Sequence, residues 1–136
     1  MKPRPMLDTI LLVDDDEVSN ELHMRLIRQM NIARQIICHV NGQDALNYIE
    51  NQYKTFQPLP SLIFLDLKMP VMDGFAFIKA MKASQLITLN RIPLAVVSVS
   101  EEGMQNISAL GDYFYMTKPL TEDKILQFFN RRKQKG

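Results

Sequence analysis

The chain reads as one α/β domain with a doubly wound, five-stranded parallel sheet in the strand order 2-1-3-4-5. Three observations predict it. Five short apolar runs alternate with helix-like segments, the runs are continuous as in strands covered on both faces, and 136 residues suffice for one buried core but not two.

The runs are Ile10-Leu11-Leu12-Val13, Ile36-Ile37-Cys38, Leu62-Ile63-Phe64-Leu65, Leu94-Ala95-Val96-Val97 and Tyr113-Phe114-Tyr115-Met116. Pro93 stands at the start of the fourth, where a missing N–H donor is tolerated. Val18, Leu22, Leu26 and Met30 recur every four residues and predict the first helix with that apolar stripe. A second helix follows Gly42, with Ala45, Leu46 and Ile49 on one face. Asp73 is placed to cap a third that carries Phe77, Ile78 and Met81. Residues 102–110 form a weaker fourth, with Gly103 near its start, and Thr121 caps a fifth that buries Ile125, Phe128 and Phe129. The stretch from Asn51 to Pro60, with Pro58 and Pro60, is the one long loop and the expected place of mobility. Residues 1–8 read as a flexible lead-in, 9–131 as the domain, and 132–136 as a basic tail whose cations complement the dipole of the last helix.

Composition excludes several classes. Apolar residues at 46% and charged residues at 23% are those of a soluble globular chain, and no apolar run approaches the length of a membrane span. A net charge of +1 without a basic stripe argues against direct contact with nucleic acid. Met1-Lys2-Pro3-Arg4-Pro5 carries charge with no apolar segment behind it, so it is not a signal peptide. The single cysteine, Cys38, reads as a buried reduced thiol, which suits a cytoplasmic protein.

A 2-1-3-4-5 sheet opens a ligand crevice between strands 1 and 3 at their carboxyl ends. The first run ends at Asp14-Asp15 and the third at Asp66, so the acids fall where topology places a ligand. Two carboxylates about 4 Å apart repel by roughly 4 kcal/mol at an effective dielectric near 20, so three together need protonation or a cation. Oxygen ligands without nearby His or Cys favour a hard divalent ion, here Mg²⁺. Asp16 and Glu17 read as first-turn acids favoured by the helix dipole, and His23 and His39 as surface or satisfied residues. The methionines, Met69 and Met72 among them, read as core or loop filler. Ser98 closes the fourth run, and Lys118 follows the fifth, just before Pro119. A hydroxyl and an ammonium facing a metal-bound carboxylate make a cradle for a phosphoryl group.

Taken together, Leu11-Leu12-Val13-Asp14-Asp15-Asp16, the stretch Phe64-Leu65-Asp66-Leu67-Lys68-Met69-Pro70-Val71-Met72-Asp73-Gly74, Val97-Ser98 and Thr117-Lys118-Pro119 resemble the motif set of response-regulator receiver domains. The resemblance covers roughly residues 9–131 and implies the flavodoxin-like receiver fold. It implies that Asp66 is the phospho-acceptor, that Asp15 binds Mg²⁺ directly and Asp14 through water, and that the backbone carbonyl of Lys68 is a further ligand. By the same resemblance Ser98 is the switch hydroxyl, Lys118 the lysine that pairs with the phosphoryl group, Tyr115 the switch aromatic, and Lys118-Pro119 a cis bond. It further implies a histidine kinase or histidine phosphotransfer protein as donor. The downstream protein target would be reached through residues 102–110, 112–116 and 121–131, the face of helix 4, strand 5 and helix 5. Three departures stand out: Val99 in place of a smaller residue, Lys68 and Ser100 at variable positions, and a longer stretch before the third run. Lys68, Val99 and Ser100 together point to slow loss of the phosphoryl group.

Two competing readings differ in class. A haloacid-dehalogenase-type phosphatase also uses a strand-end aspartate and Mg²⁺, but it needs an acid two residues after the nucleophile, where this chain has Lys68. A degenerate receiver that only binds partners would lack the acid pair, Asp66 or Lys118, and all are present. With no output domain after Lys135, the chain reads as a stand-alone receiver or as one excised from a larger regulator or hybrid kinase.

Overall fold

The computed structural model describes residues 6–84, 92–99, 102–109, 111 and 113–135, with the side chains of 102, 104, 105 and 133–135 excepted. The chain alternates β1 (Leu7–Val13), α1 (Glu17–Met30), β2 (Ala33–His39), α2 (Gly42–Lys54), β3 (Leu62–Leu65), α3 (Gly74–Ala83), β4 (Leu94–Ser98), α4 (Glu102–Ser108), β5 (Phe114–Thr117) and α5 (Glu122–Lys135). The strands form one parallel sheet in the order β2-β1-β3-β4-β5, as predicted.

Successive side chains of a strand point to opposite faces, so each continuous apolar run feeds two cores. Leu11, Val13, Ile63, Leu65 and Val96 pack with Ala45, Ile49, Phe77, Ile78 and Met81 of α2 and α3. Ile10, Leu12, Leu62, Phe64, Ala95 and Val97 pack with Ile27 of α1 and with Ile125, Phe128 and Phe129 of α5. The predicted inner faces of α2, α3 and α5 are therefore the observed ones.

The apolar face of α1 is not the predicted one. Val18 and Leu22 are 66% and 57% exposed, while Asn20, His23 and Ile27 are buried. A residue advances about 100° round a helix, so a spacing of four drifts about 40° per step. The stripe from Val18 to Met30 thus starts off the core and winds onto it, and only Leu26 and Met30 at its end touch it.

Helix starts follow side-chain caps. Asp16 is the N-cap of α1 rather than a first-turn acid, and its Oδ1 accepts from the N–H groups of Val18 (3.0 Å) and Ser19 (3.4 Å). Asn41 caps α2 by accepting from Asp44 N–H (2.8 Å), Asp73 caps α3 through Ala76 N–H (2.8 Å), and Thr121 Oγ1 accepts from Lys124 N–H (3.2 Å).

Several boundaries differ from expectation. β1 begins at Leu7 and α5 runs to Lys135, so regular structure extends beyond 9–131 at both ends. α2 takes in Asn51 to Lys54, which shortens the long loop, and β5 runs from Phe114 to Thr117 without Tyr113. Cys38 is half-buried on the edge strand β2, and its burial raises the thiol pKa. Residues 1–5 and Ser100 lie outside the described residues.

Candidate functional site

Strand register builds the crevice. Val13 pairs with Leu65 in adjacent parallel strands, so the next residues, Asp14 and Asp66, emerge side by side. Asp66 N–H donates to Val13 C=O (2.9 Å), and Asp14 N–H donates to His39 C=O (3.0 Å). Asp14 and Asp66 are only 4% and 6% exposed, whereas Asp15 faces solvent. One carboxylate oxygen from each of the three lies within 4.8 Å of the other two.

Lys118 enters from the far edge of the sheet. Its N–H donates to Ser98 C=O (2.8 Å), which ties the end of β5 to the end of β4, and the Lys118–Pro119 bond is cis. Its ammonium sits 2.5 Å from Asp14 Oδ2 and 3.5 Å from Asp66 Oδ2. Asp14 Oδ1 also accepts from Asp16 N–H (2.9 Å), and Asp66 Oδ1 accepts from Leu67 N–H (2.9 Å).

Burial lifts the Asp66 carboxyl from its ordinary value to about 6, against the opposing pull of Lys118. Burial also acts to lower the Lys118 pKa, but the Asp14 and Asp66 carboxylates outweigh it and hold the ammonium above the ordinary lysine value. One ammonium therefore stands against three carboxylates, and Asp66, the more distant of its two partners, is the less compensated. The donor set is oxygen-only, which fits a hard divalent cation held by Asp14, Asp15 and Asp66.

Ser98 is buried at the carboxyl end of β4, one strand from Asp66. The Tyr115 hydroxyl on β5 is buried without a hydrogen-bond partner among the described residues. The side chains of Lys68 and Val99 are exposed.

Three contributors escaped the sequence reading. Asn20 on α1 donates to Asp14 C=O (2.8 Å), and His23 accepts from Leu120 N–H (3.5 Å). The first hint was two polar residues spaced three apart inside α1. Gly74 is the third: a Cβ there would lie 2.5 Å from Asp66 C=O and 2.8 Å from Leu67 Cα, so only glycine lets α3 start against the Asp66 backbone. Its sequence signals were its place beside the capping Asp73 and at the end of the Phe64–Gly74 motif stretch.

A doubly wound sheet whose strand ends gather three acids, a buried hydroxyl and a bridging lysine defines a two-component signalling module. The chain belongs to the response regulator receiver domain family, whose model matches residues 10–130. It is 26% identical over 116 residues to a probable methanogenesis regulatory protein, FilR2, of Methanothrix harundinacea, covering 85% of this chain and 75% of that one. Identity is 30% over 114 residues to a protein-glutamate methylesterase/protein-glutamine glutaminase of Clostridium acetobutylicum, covering 81% of this chain but 30% of that protein. Among solved structures, a two-component response regulator from Cytophaga hutchinsonii superimposes with a TM-score of 0.80 at 28% identity, covering 92% of this chain and 96% of that one. Among the described residues no helix is long and apolar enough to cross a membrane.

Proposed function

We propose that Asp66 accepts a phosphoryl group from a phosphohistidine on a histidine kinase or histidine phosphotransfer protein. The observation that carries this reading is a buried carboxylate flanked by an acid pair and by a lysine that is not its exclusive partner. An Asp66 carboxylate oxygen attacks phosphorus, the bond from phosphorus to the donor imidazole breaks, and the imidazole leaves to take up a proton from water. The ammonium of Lys118 neutralises charge on the transferred oxygens, and the Ser98 hydroxyl orients one of them. Mg²⁺, held by Asp14, Asp15, Asp66 and the Lys68 carbonyl, supplies further charge neutralisation when bound.

The module acts as a signalling acceptor rather than on a separate substrate, and works in the cytoplasm. Ser98 and Tyr115 carry the change to the face of α4, β5 and α5, where a downstream protein docks. Exposure of the full chain to acetyl phosphate tests the acceptor. Uptake should need both Mg²⁺ and Asp66, and an Asp66→Asn chain that labels like the parent would sink the assignment.

A further inference from the structure

The inner face of α1 carries two polar side chains where apolar ones would pack without hydrogen-bonding demands. Asn20 is 5% exposed and His23 is 7% exposed, and a spacing of three puts them on one face. The Asn20 amide donates to the backbone carbonyl of Asp14 (2.8 Å). Nε2 of His23 accepts from the backbone N–H of Leu120 (3.5 Å), 97 residues away in the chain. Leu120 follows Lys118 by two residues, so one helix grips both backbone segments that bear the Asp14–Lys118 pair.

Both partners are buried backbone groups that no side-chain change can remove, so an apolar residue at either position would leave a carbonyl or an N–H unmet. Two buried polar side chains of α1 therefore answer this pair of backbone groups. Their shared geometric consequence is a fixed offset between the end of β1 and the corner after β5, and that offset sets where the Lys118 ammonium lies relative to Asp14 and Asp66. Only a neutral imidazole accepts through Nε2, and burial favours that form by lowering the His23 pKa, partly offset by the negative charge of Asp14.

We propose that Asn20 and His23 are positioning residues: α1 uses them to hold the ends of β1 and β5 so that the Lys118 ammonium reaches the phosphoryl group arriving at Asp66. The proposal rests on the reading of Asp66 as acceptor. Glutamine at position 23 can still accept an N–H through its side-chain carbonyl, whereas leucine cannot, so the pair separates hydrogen bonding from packing.

The test measures two properties of the 136-residue parent, His23→Leu and His23→Gln. The first is hydrogen exchange of the Leu120 amide without metal, expected to quicken about ten-fold in His23→Leu and to stay near the parent in His23→Gln. The second is the maximal rate of phosphoryl uptake from acetyl phosphate at saturating Mg²⁺. It should fall about ten-fold in His23→Leu, with Mg²⁺ affinity nearly unchanged, and recover in His23→Gln. Unaltered Leu120 exchange in His23→Leu overturns the proposal, as does a parental maximal rate in that variant or a glutamine variant as slow as the leucine one. A parent chain that takes up no phosphate overturns the Asp66 reading and the positioning role with it. The exchange data then still report whether α1 grips the corner, so the two failures are distinguishable.

Discussion

The Lys118 ammonium lies 1.0 Å nearer to Asp14 Oδ2 than to Asp66 Oδ2, at 2.5 against 3.5 Å. Asp14 is thus the lysine's principal partner, and Asp66 keeps a carboxylate whose charge is only partly met. A group already committed to Asp14 can turn to new oxygens at Asp66 without crossing the crevice.

That sharing separates metal binding from transfer. In Lys118→Met a competitor for Asp14 is gone, so Mg²⁺ should bind at least as tightly as in the parent. Uptake from acetyl phosphate should nonetheless slow by about a hundred-fold, because one charge on the transferred oxygens goes unmet. Calorimetric titration with Mg²⁺ and a labelling time course check the two halves. A variant that lost metal affinity along with rate would make Lys118 a structural residue of the metal site.

Asp66 has a pH signature. Its folded pKa of about 6 lies above the ordinary 3.8, so between these values the folded chain binds more protons than the unfolded one. Stability from this group is present below pH 4 and falls as pH rises to about 6. A shift of about two units corresponds to roughly 3 kcal/mol at most. Metal-free Asp66→Asn should therefore be more stable than the parent at pH 7, by about 1–3 kcal/mol, with the gap closing toward pH 4. Urea unfolding at several pH values in the presence of a chelator measures it, and a pH-independent difference would contradict the burial of an ionised Asp66.

Gly74 should not tolerate a side chain. A Cβ at 2.5 Å from the Asp66 carbonyl and 2.8 Å from Leu67 Cα meets backbone, which cannot swing aside. Gly74→Ala should cost about 1–3 kcal/mol in urea unfolding and slow phosphoryl uptake by displacing Asp66. Full stability in this variant would mean that α3 can start elsewhere.

The Tyr115 hydroxyl is buried and without a partner among the described residues. Tyr115→Phe removes an unmet polar group and should leave the unphosphorylated protein unchanged or more stable by about 1 kcal/mol. If Tyr115 also carries the signal outward, phosphorylation of the variant should move backbone resonances around Asp66 and fewer of those on α4, β5 and α5. Identical shift maps for parent and variant would leave Tyr115 as a packing aromatic.

Sequence alone determined the order of elements and the acids at the crevice. The five apolar runs are continuous because parallel strands bury both faces, and in this topology the residue after a strand lies at the binding edge, which places Asp14 and Asp66. Asp73 and Thr121 were legible as caps because a cap bonds within a few residues of itself. Tertiary structure decided the rest. Apolar spacing in α1 pointed to Val18 and Leu22, but packing turned Asn20 and His23 inward, because the core takes whichever face lies against the sheet. The contacts of His23 with Leu120 and of Lys118 with Asp14 join distant segments, and strand register with helix docking alone brings such atoms together. A local pattern records which residues can pair, whereas only the closed fold decides which of them meet.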